Sequence, residues 1–259
     1  NLVYLVVFGY MPYVILLIFL AGIVYRIVKW LMPKGLLGLY NVNVTVGDDT
    51  YGKITKEILK RMFLMYTLQG TDNSLFIGSL LFHWGIWIAL IGHLGLIIPS
   101  SWLYMTPEEH YLIAHVIGGA AGVMALAGIS ILLGRRLVTR EVNVMGHSVK
   151  IPMRMFSFLD DYFADVVLLL IIILGLLQTL WLHPAFETTI TPWIWSLAKF
   201  APDASYIISA PLITQIHVFL AMIFIAYIPW SKMIHPFTFI YISPTVARPS
   251  IKTRPVKYV

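Results

Sequence analysis

A 24-residue apolar stretch, LFIGSLLFHWGIWIALIGHLGLII at residues 75–98, decides the fold class of this chain. It contains no Asp, Glu, Lys or Arg, and about 20 apolar residues in a helix are enough to cross a bilayer core of about 30 Å. Further stretches of similar length and composition occupy residues 2–25, 112–133, 163–182 and 206–229. The sequence therefore predicts an all-α integral membrane bundle of five transmembrane helices.

The composition of the whole chain points the same way. Apolar residues make up 59% of its 259 residues and charged residues 12%, against roughly a quarter charged in ordinary soluble domains. A soluble fold of this size would have too few charges to cover its surface. We therefore expect a multi-pass protein of the cell membrane, with the lipid bilayer around its helices.

The Lys and Arg residues are distributed very unevenly between the two ends of the predicted helices. When the connecting segments are assigned to alternating faces, every Lys and Arg except Lys199 falls on one face. The positive-inside rule makes that face cytoplasmic, so the N-terminus is expected outside and the C-terminus inside. This topology accounts for the net charge of +6, and we expect no nucleic acid partner.

The basic face includes an insert at residues 26–74 and a polar tail at residues 236–259, both outside the predicted helices. Within the insert, residues 53–65 are expected to form a helix on the membrane surface. The chain has no cysteine, which excludes c-type haem attachment and cysteine-ligated iron–sulfur clusters within it. An iron–sulfur centre would have to belong to a partner protein.

Four histidines lie in or beside the predicted helices at positions that suggest pairing. His83 and His93 are on the second helix, and His217 is on the fifth. His235 follows Pro229, in what is expected to be a continuation of the fifth helix. Ionisable residues inside a membrane are rare and usually functional, because an unpaired polar group is costly there.

The two helices run in opposite directions, so His93 matches His217 in depth and His83 matches His235. Each pair can offer imidazole nitrogens from opposite sides of a flat macrocycle. Two such pairs at two depths predict two bis-histidine haems. The spacing fits imperfectly, because the ten positions from His83 to His93 span about 15 Å of helix, whereas the 18 positions from His217 to His235 span about 27 Å. A break at Pro229 would have to absorb that difference. The alternative, histidines that merely bond a neighbouring helix, stays open.

Glycines on the second and third helices also fit two explanations. Each would let a porphyrin approach closely, and each would equally let two helices pack through small residues. They are Gly85, Gly92 and Gly95 on the second helix and Gly118, Gly119 and Gly122 on the third.

These motifs resemble the respiratory nitrate reductase gamma subunit family. The resemblance is carried by Leu81-Phe82-His83-Trp84-Gly85 with Ile91-Gly92-His93, by Ile216-His217-Val218 with Pro229-Trp230-Ser231-Lys232 and His235, and by Gly118-Gly119-Ala120-Ala121-Gly122-Val123 through Arg135-Arg136. The histidine spacings of ten and 18 are those of the family. The resemblance implies a single membrane cytochrome b domain over residues 1–259 with two haems b. His93 and His217 would hold the outer haem iron, and His83 and His235 the inner one.

The resemblance also implies a function. The family oxidises a quinol of the membrane pool near the outer face, with menaquinol as the expected species. It passes electrons through the two haems to a cytoplasmic iron–sulfur subunit of a respiratory oxidoreductase complex. The insert at residues 26–74 looks more like the branch associated with dissimilatory sulfite reductase and heterodisulfide-reductase-like membrane complexes.

The family's quinol site has a lysine shortly before the paired glycines of the third helix, and here His110 stands at the matching position. A histidine can hydrogen-bond a quinol oxygen and accept its proton. Glu108 and Glu109 are alternatives in the same predicted outer loop, residues 100–111. An ordinary solvated loop histidine is the remaining interpretation.

Two other functions are compatible with a bundle of this kind. A passive membrane anchor of a cytoplasmic reductase would suit the basic face but leaves the buried histidines unexplained. A proton-coupled transporter with a histidine relay would predict inverted repeats and helices broken at mid-membrane, and the sequence shows no sign of either.

Overall fold

The computed structural model describes residues 2–31, 51–70, 72–144 and 147–237. In chain order its elements are α1 (Leu2–Lys29), α2 (Tyr51–Leu64), α3 (Asn73–Leu96), α4 (Pro107–Leu137), β1 (Thr139–Val144), β2 (His147–Pro152), α5 (Leu159–Leu182), α6 (Ile190–Ala198) and α7 (Leu212–Trp230). Five of these helices, α1, α3, α4, α5 and α7, are long and apolar enough to cross a membrane. The prediction of a five-helix membrane bundle is confirmed.

The ends of the spanning helices differ from the predicted ones because local capping decides them. α4 begins at Pro107, since Thr106 and Glu109 form a capping box there. α3 begins at Asn73, since the side chain of Asp72 accepts a hydrogen bond from the Leu75 N–H. The predicted start of the fifth helix at residue 206 is wrong. Ser205–Ile208 forms a separate turn, and α7 starts after the extended Pro211.

Several shorter features complete the described part of the chain. β1 and β2 form an antiparallel hairpin that the sequence did not predict. The expected helix in the basic insert is confirmed as α2, whereas residues 32–50 of the insert and 238–259 of the tail lie outside the described residues. Three π-helical turns interrupt the spans, at Leu5–Tyr10 in α1, Ala114–Gly118 in α4 and Gln178–Leu182 in α5.

The helices α3 and α4 approach each other through glycine. A Cβ added to Gly85 would lie 2.5 Å from the Ala125 nitrogen, and one added to Gly128 would overlap the backbone of Phe82. A Cβ added to Gly122 would lie 2.6 Å from the Leu176 side chain on α5. For these positions the explanation is helix packing rather than room for a porphyrin.

The spanning helices pack in the order α3, α4, α5, α7 and α1. One buried apolar cluster joins α4 and α5, and it is built from Ala125, Ile129, Leu168, Ile172 and Leu176. A second cluster joins α1, α6 and α7 and contains Phe8, Trp193, Ile207 and Met222. Among the described residues, α3 and α7 do not pack closely along their backbones. They face each other across a gap.

The outward surfaces of the spans are apolar. Leu17 on α1 is 67% exposed and Leu90 on α3 is 60% exposed, although both belong to candidate membrane spans. A soluble monomer rarely exposes large continuous apolar patches. This surface therefore supports lipid as the surrounding medium.

A network of ion pairs holds together one end of the bundle, which we call the basic face. Asp72 accepts hydrogen bonds from Arg135 Nε at 2.7 Å and from Arg140 at 2.5 Å. Burial acts to raise the pKa of Asp72, but hydrogen bonds from Ser74, Arg135, the Leu75 N–H and Arg140 outweigh it and hold that pKa well below its usual range. The carboxylate thus ties the start of α3 to the end of α4.

A second set of ion pairs at the basic face joins α4, α5 and the segment after α7. Arg136 Nε lies 2.8 Å from a carboxylate oxygen of Asp165, and Lys232 Nζ lies 2.9 Å from Asp161. Lys199 lies beyond the other end of the bundle, which we call the opposite face.

Candidate metal centre

Two histidine pairs lie between α3 and α7, at different depths. The opposite-face pair consists of His93 and His217, whose ring centroids are 6.3 Å apart with an interplanar angle of 11°. The basic-face pair consists of His83 and His235, whose ring centroids are 6.0 Å apart with an interplanar angle of 69°. The antiparallel pairing inferred from depth is the one that the structure brings together.

The separation within each pair can be compared with that of two imidazoles on one metal ion. A metal–nitrogen bond of about 2.0–2.1 Å, plus about 1.1 Å from the nitrogen to the ring centre, puts each centroid about 3.2 Å from the metal. Two imidazoles on opposite sides of one ion would then have centroids about 6.3 Å apart. The centroid separations of both pairs are close to this value, and two ligands on opposite sides are what a haem iron would need.

Backbone carbonyls orient three of the four rings. His83 Nδ1 lies 2.8 Å from the Ser79 carbonyl oxygen, and His93 Nδ1 lies 2.6 Å from that of Ala89. His235 Nδ1 lies 3.1 Å from the Lys232 carbonyl oxygen. A metal-bound histidine usually donates its other ring N–H in this way, which leaves Nε2 as the ligand atom. The three rings are therefore prepared for coordination through Nε2.

The fourth ring, that of His217, is packed against a glycine. A Cβ added to Gly175 on α5 would lie 3.3 Å from His217 Cε1. His217 Nδ1 is buried and makes no hydrogen bond of ordinary geometry within the described residues, although the Ile171 backbone interacts with the ring. A buried imidazole nitrogen without a hydrogen bond lowers the stability of the fold by about 1–3 kcal/mol unless another interaction compensates for it.

The unequal spacing of the histidines along α3 and α7 is absorbed by a break in the chain. α7 ends in a 3-10 turn at Ile228–Trp230, and Ser231 is extended with ψ −177°. A second 3-10 turn at Lys232–Ile234 then leads to His235. The break expected at Pro229 therefore falls two residues later, and it lets His235 reach the depth of His83.

The surroundings of the pairs fit a flat cofactor. His93 and His235 are exposed on the surface of the chain, whereas His83 and His217 are partly buried. A group filling the gap between α3 and α7 would cover the exposed rings. Two pairs with this ring separation, three of whose rings have Nδ1 against a backbone carbonyl, thus fit two haems.

The residue expected at the quinol site lies near the opposite face but not in a loop. His110 is in the first turns of α4 and is only 8% exposed, because the chain enters the helix five residues earlier than predicted. Its ring edge rests against Gly95, with Nε2 2.6 Å from where a Cβ would be. Gly95 is two residues from His93 in the sequence, so His110 lies at the same end of the bundle as the opposite-face pair.

A carboxylate that the sequence did not single out faces the other side of this ring. His110 Nδ1 is buried without a hydrogen bond, and it lies 3.9 Å from Glu187 Oε1. The same Glu187 oxygen accepts a hydrogen bond from Ser100 Oγ at 2.5 Å. Glu187 is far from His110 in the sequence and follows no motif, so only the folded chain reveals their proximity.

The two glutamates next to His110 are placed differently. The carboxylate of Glu109 accepts a hydrogen bond from the Thr106 N–H at 2.8 Å and so completes the cap of α4. Glu108 is exposed in the same turn.

Comparison with known proteins agrees with this arrangement. Residues 70–252 match the family model described as nitrate reductase gamma subunit. This range includes all four paired histidines and His110. The chain belongs to the nitrate reductase gamma subunit family.

Named relatives support the assignment over most of the chain. A nitrate reductase gamma chain of Bacillus subtilis is 26% identical over 243 residues, which cover 90% of this chain and 91% of the relative. The respiratory nitrate reductase 2 gamma chain of Escherichia coli is 26% identical over 172 residues, covering 63% of this chain and 71% of the relative. A nitrate reductase-like protein, NarX, of Mycobacterium tuberculosis is 30% identical over 172 residues, covering 62% of this chain but only 25% of the relative.

Membership of the nitrate reductase gamma subunit family settles the general class. The chain is a multi-pass cell membrane protein and a membrane cytochrome b subunit of a respiratory oxidoreductase complex, in which it takes part in electron transport. The family consists of haem-binding membrane subunits that work with catalytic and iron–sulfur partner subunits. The branch associated with dissimilatory sulfite reductase stays a prediction.

Proposed function

We propose that this gamma subunit oxidises a quinol, with menaquinol as the expected species, near the opposite face and passes the electrons inward to an iron–sulfur subunit. The proposal includes the orientation expected from the positive-inside rule, with the opposite face outside and the basic face cytoplasmic. The terminal acceptor lies beyond this chain.

The observation that carries the proposal is the two histidine pairs between α3 and α7, whose ring centroids are 6.3 and 6.0 Å apart. His93 with His217 and His83 with His235 would hold two haems b at two depths. Bound haem iron supplies one-electron transfer by cycling between its ferric and ferrous states. The chain would contribute four imidazole nitrogens as ligands, three of them on rings oriented by hydrogen bonds to backbone carbonyls.

The protons of the quinol need an acceptor of their own. Oxidation of a quinol to a quinone releases two electrons and two protons. His110 is suited to take up a proton, because it is buried at the same end of the bundle as the opposite-face pair and its Nδ1 makes no hydrogen bond. Glu187, 3.9 Å from that nitrogen, would stabilise the protonated ring.

The basic face suits the docking of the partner subunit. Lys232 and Arg136 are held there by acidic residues of α5, and Lys150 is exposed on the hairpin. Electrons leaving the basic-face pair would emerge beside this positively charged surface. Complementary charge on the partner would orient the two proteins as they meet.

The test is the haem content of the purified full-length chain. A pyridine haemochrome assay should give two haems b per chain, because four ligands in two trans pairs fill the axial positions of two irons. One haem or none would overturn the proposal. A chain without haem that still retained the cytoplasmic subunits would instead be a passive membrane anchor.

A further inference from the structure

A third histidine pair lies at the opposite face, apart from the two between α3 and α7. His115 is on α4, and His183 directly follows α5. Their ring centroids are 5.2 Å apart with an interplanar angle of 57°. Tyr111 packs against both rings, with centroids 5.9 Å from His115 and 5.0 Å from His183.

The ring centroids of this pair are closer together than those of the other two pairs, at 5.2 Å against 6.3 and 6.0 Å. With each ring centre about 3.2 Å from a shared metal, imidazoles at a tetrahedral angle have centroids about 5.2 Å apart, against about 6.3 Å when they are trans. The separation of His115 and His183 is the tetrahedral value. The separation is shorter than that expected for two ligands on opposite sides of a macrocycle and matches that of two ligands on one tetrahedral ion.

The ring of His115 is already oriented for coordination. Its Nδ1 lies 2.9 Å from the Thr179 carbonyl oxygen on α5, which leaves Nε2 as the ligand atom. His115 is partly buried and His183 is exposed, so an ion from the surrounding water can reach both.

The backbone around the pair is irregular on both sides. His115 lies in the π-helical turn Ala114–Gly118, and His183 comes directly after the π-helical turn Gln178–Leu182. His183 itself adopts the left-handed conformation, with φ 42° and ψ 61°. π-turns inside helices occur frequently at functional sites, and a left-handed conformation is uncommon for a residue other than glycine.

We propose that His115 and His183 form an exchangeable binding site for a divalent transition-metal ion, with Zn²⁺ as the best fit. Zn²⁺ is borderline in softness, prefers tetrahedral geometry and binds imidazole nitrogen. Two protein ligands leave two positions for water, so the ion exchanges with the medium and is not needed for folding. Bound there, it clamps the opposite-face ends of α4 and α5 together.

The site is connected to the opposite-face haem pair through α5. Thr179, whose carbonyl orients His115, donates its hydroxyl to the Gly175 carbonyl one turn away at 3.0 Å. Gly175 in turn packs against His217. An ion that fixes the end of α5 therefore acts on the helix that supports an axial histidine.

Equilibrium dialysis of the detergent-solubilised full-length chain against Zn²⁺, with bound metal measured by mass spectrometry, tests the site. The wild type should bind one Zn²⁺ more than His115→Gln or His183→Asn. Each replacement should weaken binding at this site at least about tenfold, as loss of even an outer-shell partner does. Asn tolerates the left-handed conformation of His183, so that variant keeps the local backbone. His147→Ala, which removes an exposed histidine of β2, is the matched control and should bind as the wild type does.

Thermal unfolding gives a second readout. Zn²⁺ should raise the unfolding temperature of the wild type and of His147→Ala, because a ligand bound only to the folded state stabilises it. It should have no such effect on the other two variants, whose helix content is checked by circular dichroism. Equal Zn²⁺ binding by all four proteins would overturn the proposal. Haem content does not enter the comparison, so the proposed function and this site can fail independently.

Discussion

At the scale of single residues, the function of this chain depends on where its imidazoles point. His83, His93 and His235 have Nδ1 placed against a backbone carbonyl, so their Nε2 atoms are directed away from their own helices. When Nδ1 donates to a carbonyl, Nε2 is the ring nitrogen left to bind a metal. This is the physical reason to expect a cofactor between α3 and α7.

The pairing makes a prediction that separates the two haems. His93→Ala and His217→Ala should each remove the same haem, and His83→Ala and His235→Ala should each remove the other, because one iron needs both of its axial ligands. Redox titration followed by difference spectra identifies which haem is lost. His147→Ala should leave both spectra unchanged. Loss of the same haem from the His93 and His235 variants would contradict the pairing.

The proton acceptor is tested by a variant that spares the haem ligands. His110→Ala should slow quinol-dependent haem reduction by about 10²-fold or more, the usual contribution of general base catalysis, with both haem spectra intact. Stopped-flow absorbance with a reduced quinol measures the rate. His110→Lys introduces the residue type that the family resemblance implies, and it should retain much of the rate.

The opposite result would be equally informative. A normal rate of haem reduction in His110→Ala would remove His110 from the quinol site and direct attention to Glu108 and Glu109. Glu187→Gln should reduce the rate less than His110→Ala does, since Glu187 acts only by stabilising the protonated ring.

At the scale of elements, close contact between helices leaves little room for added atoms. The α3–α4 interface has a glycine on each side, Gly85 on α3 and Gly128 on α4, and each is opposed by backbone atoms rather than by a flexible side chain. Backbone cannot move aside as a side chain can, so packing at these positions depends on the missing Cβ.

A matched pair of substitutions on α4 tests this packing. Gly128→Ala should lower the free energy of unfolding by about 1–3 kcal/mol, because its Cβ would overlap the backbone of Phe82. Gly134→Ala, on the same helix with no atom within 4 Å of the new Cβ, should cause no loss. Thermal unfolding in detergent compares the two variants. Equal stability of both would show that α3 and α4 are not held this closely.

At the scale of the whole molecule, charge separates the two ends of the bundle. The basic face carries the ion pairs of Asp72, Asp161 and Asp165 with arginines and Lys232, whereas Lys199 is exposed near the opposite face. If the basic face is cytoplasmic, quinol oxidised at the opposite face releases its protons outside while electrons move inward. The reaction would then contribute to the membrane potential.

The orientation can be tested directly because the chain has no cysteine of its own. Lys199→Cys should react with a membrane-impermeant maleimide in intact cells. Lys150→Cys, at an exposed position of β2 on the basic face, should react only after permeabilisation. Both replacements are at exposed positions, so folding should be unaffected. The reverse labelling pattern would invert the proposed direction of charge transfer.

The sequence by itself determined the membrane class, the number of spanning helices and the order in depth of the four histidines proposed as haem ligands. These properties follow from composition, run length and antiparallel order, all of which are local or additive along the chain. The relation of His93 to His217 and of His83 to His235 could be predicted for that reason.

Only the tertiary structure decided the features that depend on how distant segments meet. Glu187 faces His110, and His183 faces His115, through contacts between different helices or connecting segments. The extended backbone at Ser231, which brings His235 level with His83, and the roles of Gly85 and Gly128 also follow from packing. A side chain's neighbours across helices depend on rotation and crossing of those helices, and no periodicity within one segment specifies them.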